Sequence, residues 1–309
     1  MELPMSPSIK EIIAELGDSD SRLLSSRLAD LSNLDPEELQ SLEQVWATIK
    51  PKRRRQIVYR LVELAEDNFE LNFDSIFQDC LKDQDAEVRS KAIEGLWENE
   101  DTALINPLIK LLEQDNSEKV QVAAAMALGK FALLAEHKKL RPYYTSKVSQ
   151  ALLTSIEDKN RSVEVRRRAL EAAAPLSLPQ VERAILEAYQ SSHPKLRISA
   201  VYAMGKSCNC CWLPTLLKEL DSADAEIRYE AAGACGEVGE KEAVPHLIEL
   251  ITDPDVDVQL AAIQALGKIG GNKAKECLEQ CMNSPSEAIQ QAAEQALYEL
   301  EEDLSSFRI

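Results

Sequence analysis

A single pattern of apolar and polar positions repeats along this chain. An acidic or polar turn leads to an aliphatic residue, often followed by Arg or Gln. Ala stands four positions on, and usually a larger apolar residue four after that. The aliphatic positions are Val88, Val120, Val165, Leu196, Ile227, Val258 and Ile289, at intervals of 32, 45, 31, 31, 31 and 31 residues. The +4 position is Ala in all seven copies, from Ala92 to Ala293. The +7 position is small throughout: Gly95, Ala127, Ala172, Ala203, Ala234, Ala265 and Ala296. Positions +0, +4, +7 and +8 fall on one side of a helix, so each copy predicts a helix with one buried face. A small side chain at +7 lets a neighbouring helix approach closely.

A second predicted helix precedes each of these, as in Leu104–Leu112, Val148–Ile156, Val181–Tyr189, Leu213–Leu220, Val244–Ile251 and Ala274–Met282. Pro107, Pro214 and Pro245 stand near their starts, where a missing N–H is tolerated. Asp- and Ser-rich turns, such as Asp221 to Asp224 and Asp253 to Asp255, end one helix and cap the next. Glycines at +9 (Gly129, Gly205, Gly236, Gly267) read as the terminal turn leading into a loop. The 45-residue interval holds an insertion around His137 to Thr145, predicted as a longer loop or helix extension.

The pattern resembles the HEAT repeat, in the compact form also found in phycobilin-lyase-like proteins. Asp85-Ala86-Glu87-Val88-Arg89, Asp224-Ala225-Glu226-Ile227-Arg228 with the segment to Gly236, and Val258 to Gly267 carry the resemblance. It implies an all-α fold, a right-handed superhelical α-solenoid of HEAT-like helix pairs over residues 74–300. Residues 1–73 read as an atypical helical cap with a degenerate repeat, in which Ile57, Leu61 and Ala65 precede Val88, Ala92 and Leu96 by 31 residues. Residues 8–31 supply one or two capping helices, and 301–309 form a polar tail. Terminal repeats diverge because one flank meets water.

Composition narrows function. The chain has 309 residues and a formal net charge of −18, from 53 acidic against 35 basic side chains. A surface of that sign disfavours nucleic acid and anionic membranes and admits a basic protein partner. Only 10 glycines occur, which argues against Gly-loop nucleotide folds. Met1 to Lys10 lacks the basic and apolar regions of a signal peptide, no apolar run is long enough to span a membrane, and seven cysteines fit a reducing compartment; a cytoplasmic location is expected.

Candidate chemistry is sparse. The resemblance extends to deoxyhypusine hydroxylase, whose metal site depends on His-Glu pairs, but His137, His193 and His246 are each followed by a residue other than Glu. Cys208, Cys210 and Cys211 are a weak candidate for a soft-metal site lacking a fourth ligand; Cys208 also occupies the position of Gly239 in the next repeat, which makes small-residue replacement the plainer reading. Cys235 stands where other copies have Leu or Met, and Cys277 and Cys281 share a helical face, which points to packing. No cofactor is implied. Arg89, Arg166, Arg197 and Arg228 recur just after the aliphatic position and are expected to pair with turn acids such as Asp85 or Asp224. Lys52 to Arg55 is expected to be a solvated basic face.

Positions +2 and +6 lie opposite the buried face. In HEAT-like arrays the second helix lines the concave surface. Val122, Met126, Ile198, Tyr202, Tyr229 and Leu260 are apolar there, where solvent would favour charge. They line a groove for a basic protein or a helical peptide, or they are buried if the array curves tightly. Two functions remain: a non-catalytic protein-binding scaffold or adaptor, and a phycobilin-lyase-like factor acting on a chromophore-bearing or other modified protein.

Overall fold

The structure, a computed structural model, describes residues 9–18 and 23–306, with side chains described as far as 301. Among the described residues, eighteen α-helices and four short 3-10 helices, joined by short turns, make up the regular structure, and no strand occurs. By packing, the chain divides into two units, residues 1–131 and 132–309. The expected cap over 8–31 holds α1 (Ile9–Leu16) and α2 (Ser25–Ala29), with 19–22 outside the described residues.

The first unit continues with α3 (Pro36–Trp46), α4 (Pro51–Asp67), α5 (Asp74–Cys80), α6 (Ala86–Gly95), α7 (Ile105–Gln114) and the start of α8 (Glu118–Glu136). Two layers form, one in which α1, α3 and α5 pack in turn and one in which α2, α4 and α6 do. Local signals set the helix starts. The Asp35 carboxylate accepts from the N–H groups of Glu37 and Glu38, both at 2.8 Å, while Glu38 accepts from the Asp35 N–H at 3.0 Å, a reciprocal cap. Ile57 and Leu61 of the degenerate repeat are as buried as Val88 and Ala92. Gly95 gives its side-chain space to Phe77, whose ring edge lies 2.6 Å from where a Cβ would be.

The basic run at 52–55 differs from the expected solvated face. Arg53 and Arg54 are buried. Arg53 Nε donates to the carbonyl of Leu16 at 3.3 Å and Arg54 Nη1 to that of Ile49 at 2.7 Å. Arg54 also pairs with Asp83 at 2.9 Å, and Arg55 with Asp85 at 2.6 Å. Long aliphatic stems let these residues cover apolar neighbours while their guanidinium groups satisfy helix-end carbonyls.

The second unit holds α9 (Pro142–Glu157), α10 (Val163–Ala173), α11 (Pro179–Tyr189), α12 (Pro194–Lys206), α13 (Leu213–Glu219), α14 (Ala225–Val238), α15 (Val244–Glu249), α16 (Val256–Ile269), α17 (Asn272–Cys281) and α18 (Glu287–Ser306). Each odd-numbered helix packs on the even one that follows, and α10, α12, α14, α16 and α18 stack in succession. The inserted segment is spent on the long α8, a turn at Lys138 with φ 59°, and α9, whose first residue is Pro142. The repeated aliphatic and Ala positions, from Val165 and Ala169 to Ile289 and Ala293, are buried without exception. Each fully buried aliphatic contributes roughly 1.5–3 kcal/mol, but only with a neighbour on either flank, so the repeats depend on one another.

Two recurrent devices lock the register. The Arg or Gln after the aliphatic reaches back to the carbonyl six residues earlier: Arg89 to Asp83, Gln121 to Asp115, Arg228 to Ser222, Gln259 to Asp253 and Gln290 to Ser284. Arg89 and Arg228 also reach forward to Asp115 and Asp253 of the next repeat, each through two hydrogen bonds of 2.8–2.9 Å. The ladder partner is thus the next turn's aspartate. Asp85 and Asp224 instead cap their own helices. Arg166, beside the inserted repeat, departs from the pattern and donates to the Ile156 carbonyl at 3.0 Å.

The +9 glycines serve packing rather than helix termination. A Cβ at Gly205, Gly236 or Gly267 would lie 2.6–2.8 Å from the +7 alanine of the following repeat, Ala234, Ala265 or Ala296. The left-handed residue that ends each turn is three further on, at Cys208 (φ 47°), Gly239 (φ 78°) and Gly270 (φ 68°).

Candidate functional site

The stacking of even-numbered helices decides which side chains reach solvent. At roughly 100° per residue, +2 and +6 point about 200° and 240° away from the aliphatic position. The +9 glycine, near 180°, is covered by the next helix, so +2 sits at the edge of that contact. The free strip is centred nearer +6 and +10.

The six groove candidates separate accordingly. Met126 and Tyr229 are exposed, at 54% and 44%, and Val122, Tyr202 and Leu260 are half-buried. Ile198 is a correction: at 9% exposure it belongs to the core, because α12 lies between α10 and α14. Val122 and Met126 are in the first unit, on α8, while Tyr202, Tyr229 and Leu260 are in the second, on the successive helices α12, α14 and α16.

Polar residues missed by the sequence reading complete the second unit's strip. Lys206, Glu237 and Lys268 occupy +10 in successive repeats and form a chain, with Glu237 Oε1 accepting from Lys206 at 3.0 Å and from Lys268 at 2.9 Å. Burial works to raise the Glu237 carboxyl, but these two bonds hold it below the usual carboxylate range. Their alternating charge at intervals of 31 was a legible signal. Lys206 also lies 5.7 Å above the Tyr202 ring, and burial raises the Tyr202 phenol.

Glu171 and Glu230 face the same region with opposite fates. Glu171 accepts from the Ser199 hydroxyl at 2.5 Å, from Arg167 at 3.1 Å and from Arg168 at 2.8 Å. Glu230 is half-buried, and neither a hydrogen bond nor an ion pair engages its carboxylate among the described residues. Burial, then the charges of Glu171 and Glu226, pushes it up to about 7 against the pull of Lys206. A cation arriving from outside would find this carboxylate unspent.

The thiols offer no such convergence. Cys208, Cys210 and Cys211 are exposed, and Cys80, Cys235, Cys277 and Cys281 are buried. Among the described residues no three His, Cys, Asp or Glu side chains stand where they could share a metal ion. Nor is any helix among them long and apolar enough to cross a membrane.

Helix pairs stacked through an Ala and Gly seam, with an Asp–Arg ladder between turns, define an α-solenoid protein. The family model for HEAT repeats matches residues 75–163 and 213–298, more than half of the chain. The chain belongs to the HEAT-repeat family. No curated protein matches it. Among solved structures, it is similar to the complex of CpcE and CpcF of phycocyanin lyase from a Nostoc species, at 19% identity over 72% of this chain and 86% of that one, with a TM-score of 0.53. Human deoxyhypusine hydroxylase in complex with glycerol aligns at 18% identity over 95% of this chain and 96% of that one, with a TM-score of 0.32. Yeast importin-beta aligns at 15% identity over 94% of this chain and 41% of that one, with a TM-score of 0.46. Likeness to the lyase complex at that identity shows the fold alone.

Proposed function

We propose that the chain is a non-catalytic scaffold or adaptor, and that the strip on α12, α14 and α16 of its second unit takes a basic segment of a protein partner. The observation that carries this is the exposed Tyr229 next in sequence to Glu230, whose carboxylate has no partner of its own. Tyr202 and Leu260 add half-buried apolar surface on the adjoining helices. Aromatic side chains supply contact area at small entropic cost, and a Lys or Arg of the partner would satisfy Glu230. Val122 and Met126 give α8 apolar surface of the same kind. The net charge of −18 favours encounter with a basic partner over an acidic one.

The test replaces Tyr202 and Tyr229 by Ser in the full chain and measures binding of partner segments identified by crosslinking from a photoreactive residue at Gly233, the +6 position of α14, where a side chain would meet open space. The double variant should keep the wild-type circular dichroism and lose at least tenfold in affinity. Unchanged affinity would remove this face from the reading, and loss of the fold would place both tyrosines in the core. The alternative, action on a chromophore-bearing protein, draws on likeness to the lyase complex alone. Co-purification of a coloured protein that the same double variant releases would favour it.

A further inference from the structure

A second candidate surface belongs to the first unit. Phe69 and Trp97 are its two most exposed large apolar side chains, at 83% and 71%. Each follows the end of an even-numbered helix, Phe69 after α4 and Trp97 after α6. These helices pack on each other and run the same way, since Arg55 pairs with Asp85 and the Tyr59 hydroxyl with Glu87 near their starts. The segments beyond their ends flank one cleft of about 380 Å³, lined by Asn33, Leu34, Asn72, Asp74, Ser75, Gln78 and Asn99.

Both aromatic-bearing turns are held from within. Lys130 donates to the carbonyls of Leu96 and Trp97, at 3.0 and 2.8 Å, and to that of Asn99. The Asn99 amide donates to Asp74 at 2.7 Å. Before the cleft, Asn68 accepts from the Glu70 N–H at 3.0 Å, and the Ser32 hydroxyl accepts from the Asn72 N–H at 2.9 Å. Trp97 and Phe69 are therefore displayed on ordered turns, which removes much of the entropy a contact would otherwise cost.

Apart from Lys130, whose ammonium is turned onto the backbone carbonyls, the charge around them is acidic. Glu66, Asp67, Glu70, Glu98, Glu100 and Asp101 are all exposed, and none of the six is in an ion pair. Elsewhere on these helices the acids are matched: Asp85 by Arg55, Glu87 by Lys119, Glu94 by Lys91. A face that combines two displayed aromatics, a polar cleft and carboxylates without an ion pair is complementary to a cationic amphipathic peptide and repels acidic segments and anionic membranes.

We infer that this end of the first unit docks such a segment, with apolar side chains on Trp97 and Phe69 and an Arg or Lys in the cleft against Asp74. The probe is a library of random peptides about twelve residues long, displayed on phage and selected on the immobilised full chain. Selected peptides should combine Lys or Arg with aliphatic or aromatic residues. They should bind the Phe69→Ser, Trp97→Ser double variant roughly thirtyfold more weakly, as truncation of aromatic anchors does elsewhere. They should bind a Tyr229→Ser variant as well as the wild type, and weaken as salt is raised. Both replaced side chains lie in water, so the double variant should melt with the wild type. Acidic or neutral selected sequences, binding indifferent to Phe69 and Trp97, or an empty selection would each overturn the inference. Loss of binding on Tyr229→Ser alone would assign the peptides to the second unit's strip and overturn it too.

Discussion

Gly205 of α12 lies so close to Ala234 of α14 that a Cβ at position 205 would come within 2.6 Å of the Ala234 Cα. The neighbour is backbone, not the free end of a side chain, so it cannot step aside without moving the helix. The same pairing joins Gly236 to Ala265 and Gly267 to Ala296. This small-on-small seam sets how closely the helices of the second unit stack.

Gly205→Ala should therefore destabilise the second unit, although alanine is the better helix former by about 1 kcal/mol. Overpacking of this kind costs about 1–3 kcal/mol, so the net expectation is a loss of up to ~2 kcal/mol. Urea unfolding followed by circular dichroism reads it directly; a gain in midpoint would mean the seam is looser than described.

Cys208→Gly should do the opposite. Cys208 holds φ 47° in the left-handed region, where Gly239 and Gly270 stand in the following repeats. A side chain there costs roughly 1–2 kcal/mol, and the exposed thiol gives little packing in return. A rise of a few degrees in thermal midpoint is expected, and Cys208→Ala should not reproduce it.

Asp253 ties Arg228 to the next repeat, with side-chain exposures of 5% and 13%. Asp253→Ala leaves a buried guanidinium unpaired and should cost about 3–5 kcal/mol. The Arg228 bond, followed by the Asp255 N–H, holds the Asp253 carboxyl below its ordinary 3.8. A depressed carboxyl stabilises the fold above its unfolded value, and that contribution is lost as pH falls through the folded one. Acid titration of the wild type should show stability dropping below about pH 4, and Asp253→Asn should flatten that part of the curve.

Glu230 has the reverse sign. Its folded value of about 7 exceeds the ordinary 4.5, so the folded state holds the proton more tightly and stability falls as pH rises between them. Glu230→Gln should leave stability unchanged at pH 4 and raise it at pH 8, by of order 1 kcal/mol after allowance for solvent screening. Equal effects at the two pH values would show that the carboxylate is fully solvated.

Ile198 and Tyr229 occupy the same +2 position in adjacent repeats and should part company on mutation. Ile198→Ala empties core volume and should cost about 2–4 kcal/mol. Tyr229→Ser should stay within about 0.5 kcal/mol, as exposed substitutions do. Matching losses in the two variants would show that Tyr229 is covered.

Helix identity, repeat boundaries and the buried face of each helix were legible in the residues themselves, because a period of 3.6 and a run of seven alanines at one register admit few other folds. Val88, Ala92 and their counterparts needed no coordinates. Partner choice across space was another matter. That Arg228 meets Asp253 rather than Asp224, that Arg53 and Arg54 are buried, and that Gly205 serves a neighbour rather than its own helix end all depend on how one repeat rests on the next. The exposed strip followed the same rule: each inner even-numbered helix is covered by its pair partner and by the even helices before and after it, so Ile198 fell inside and Lys206, Glu237 and Lys268 reached the edge of the stack. Periodicity reports one helix at a time, whereas exposure is a property of the stack, and only the packed repeats decide it.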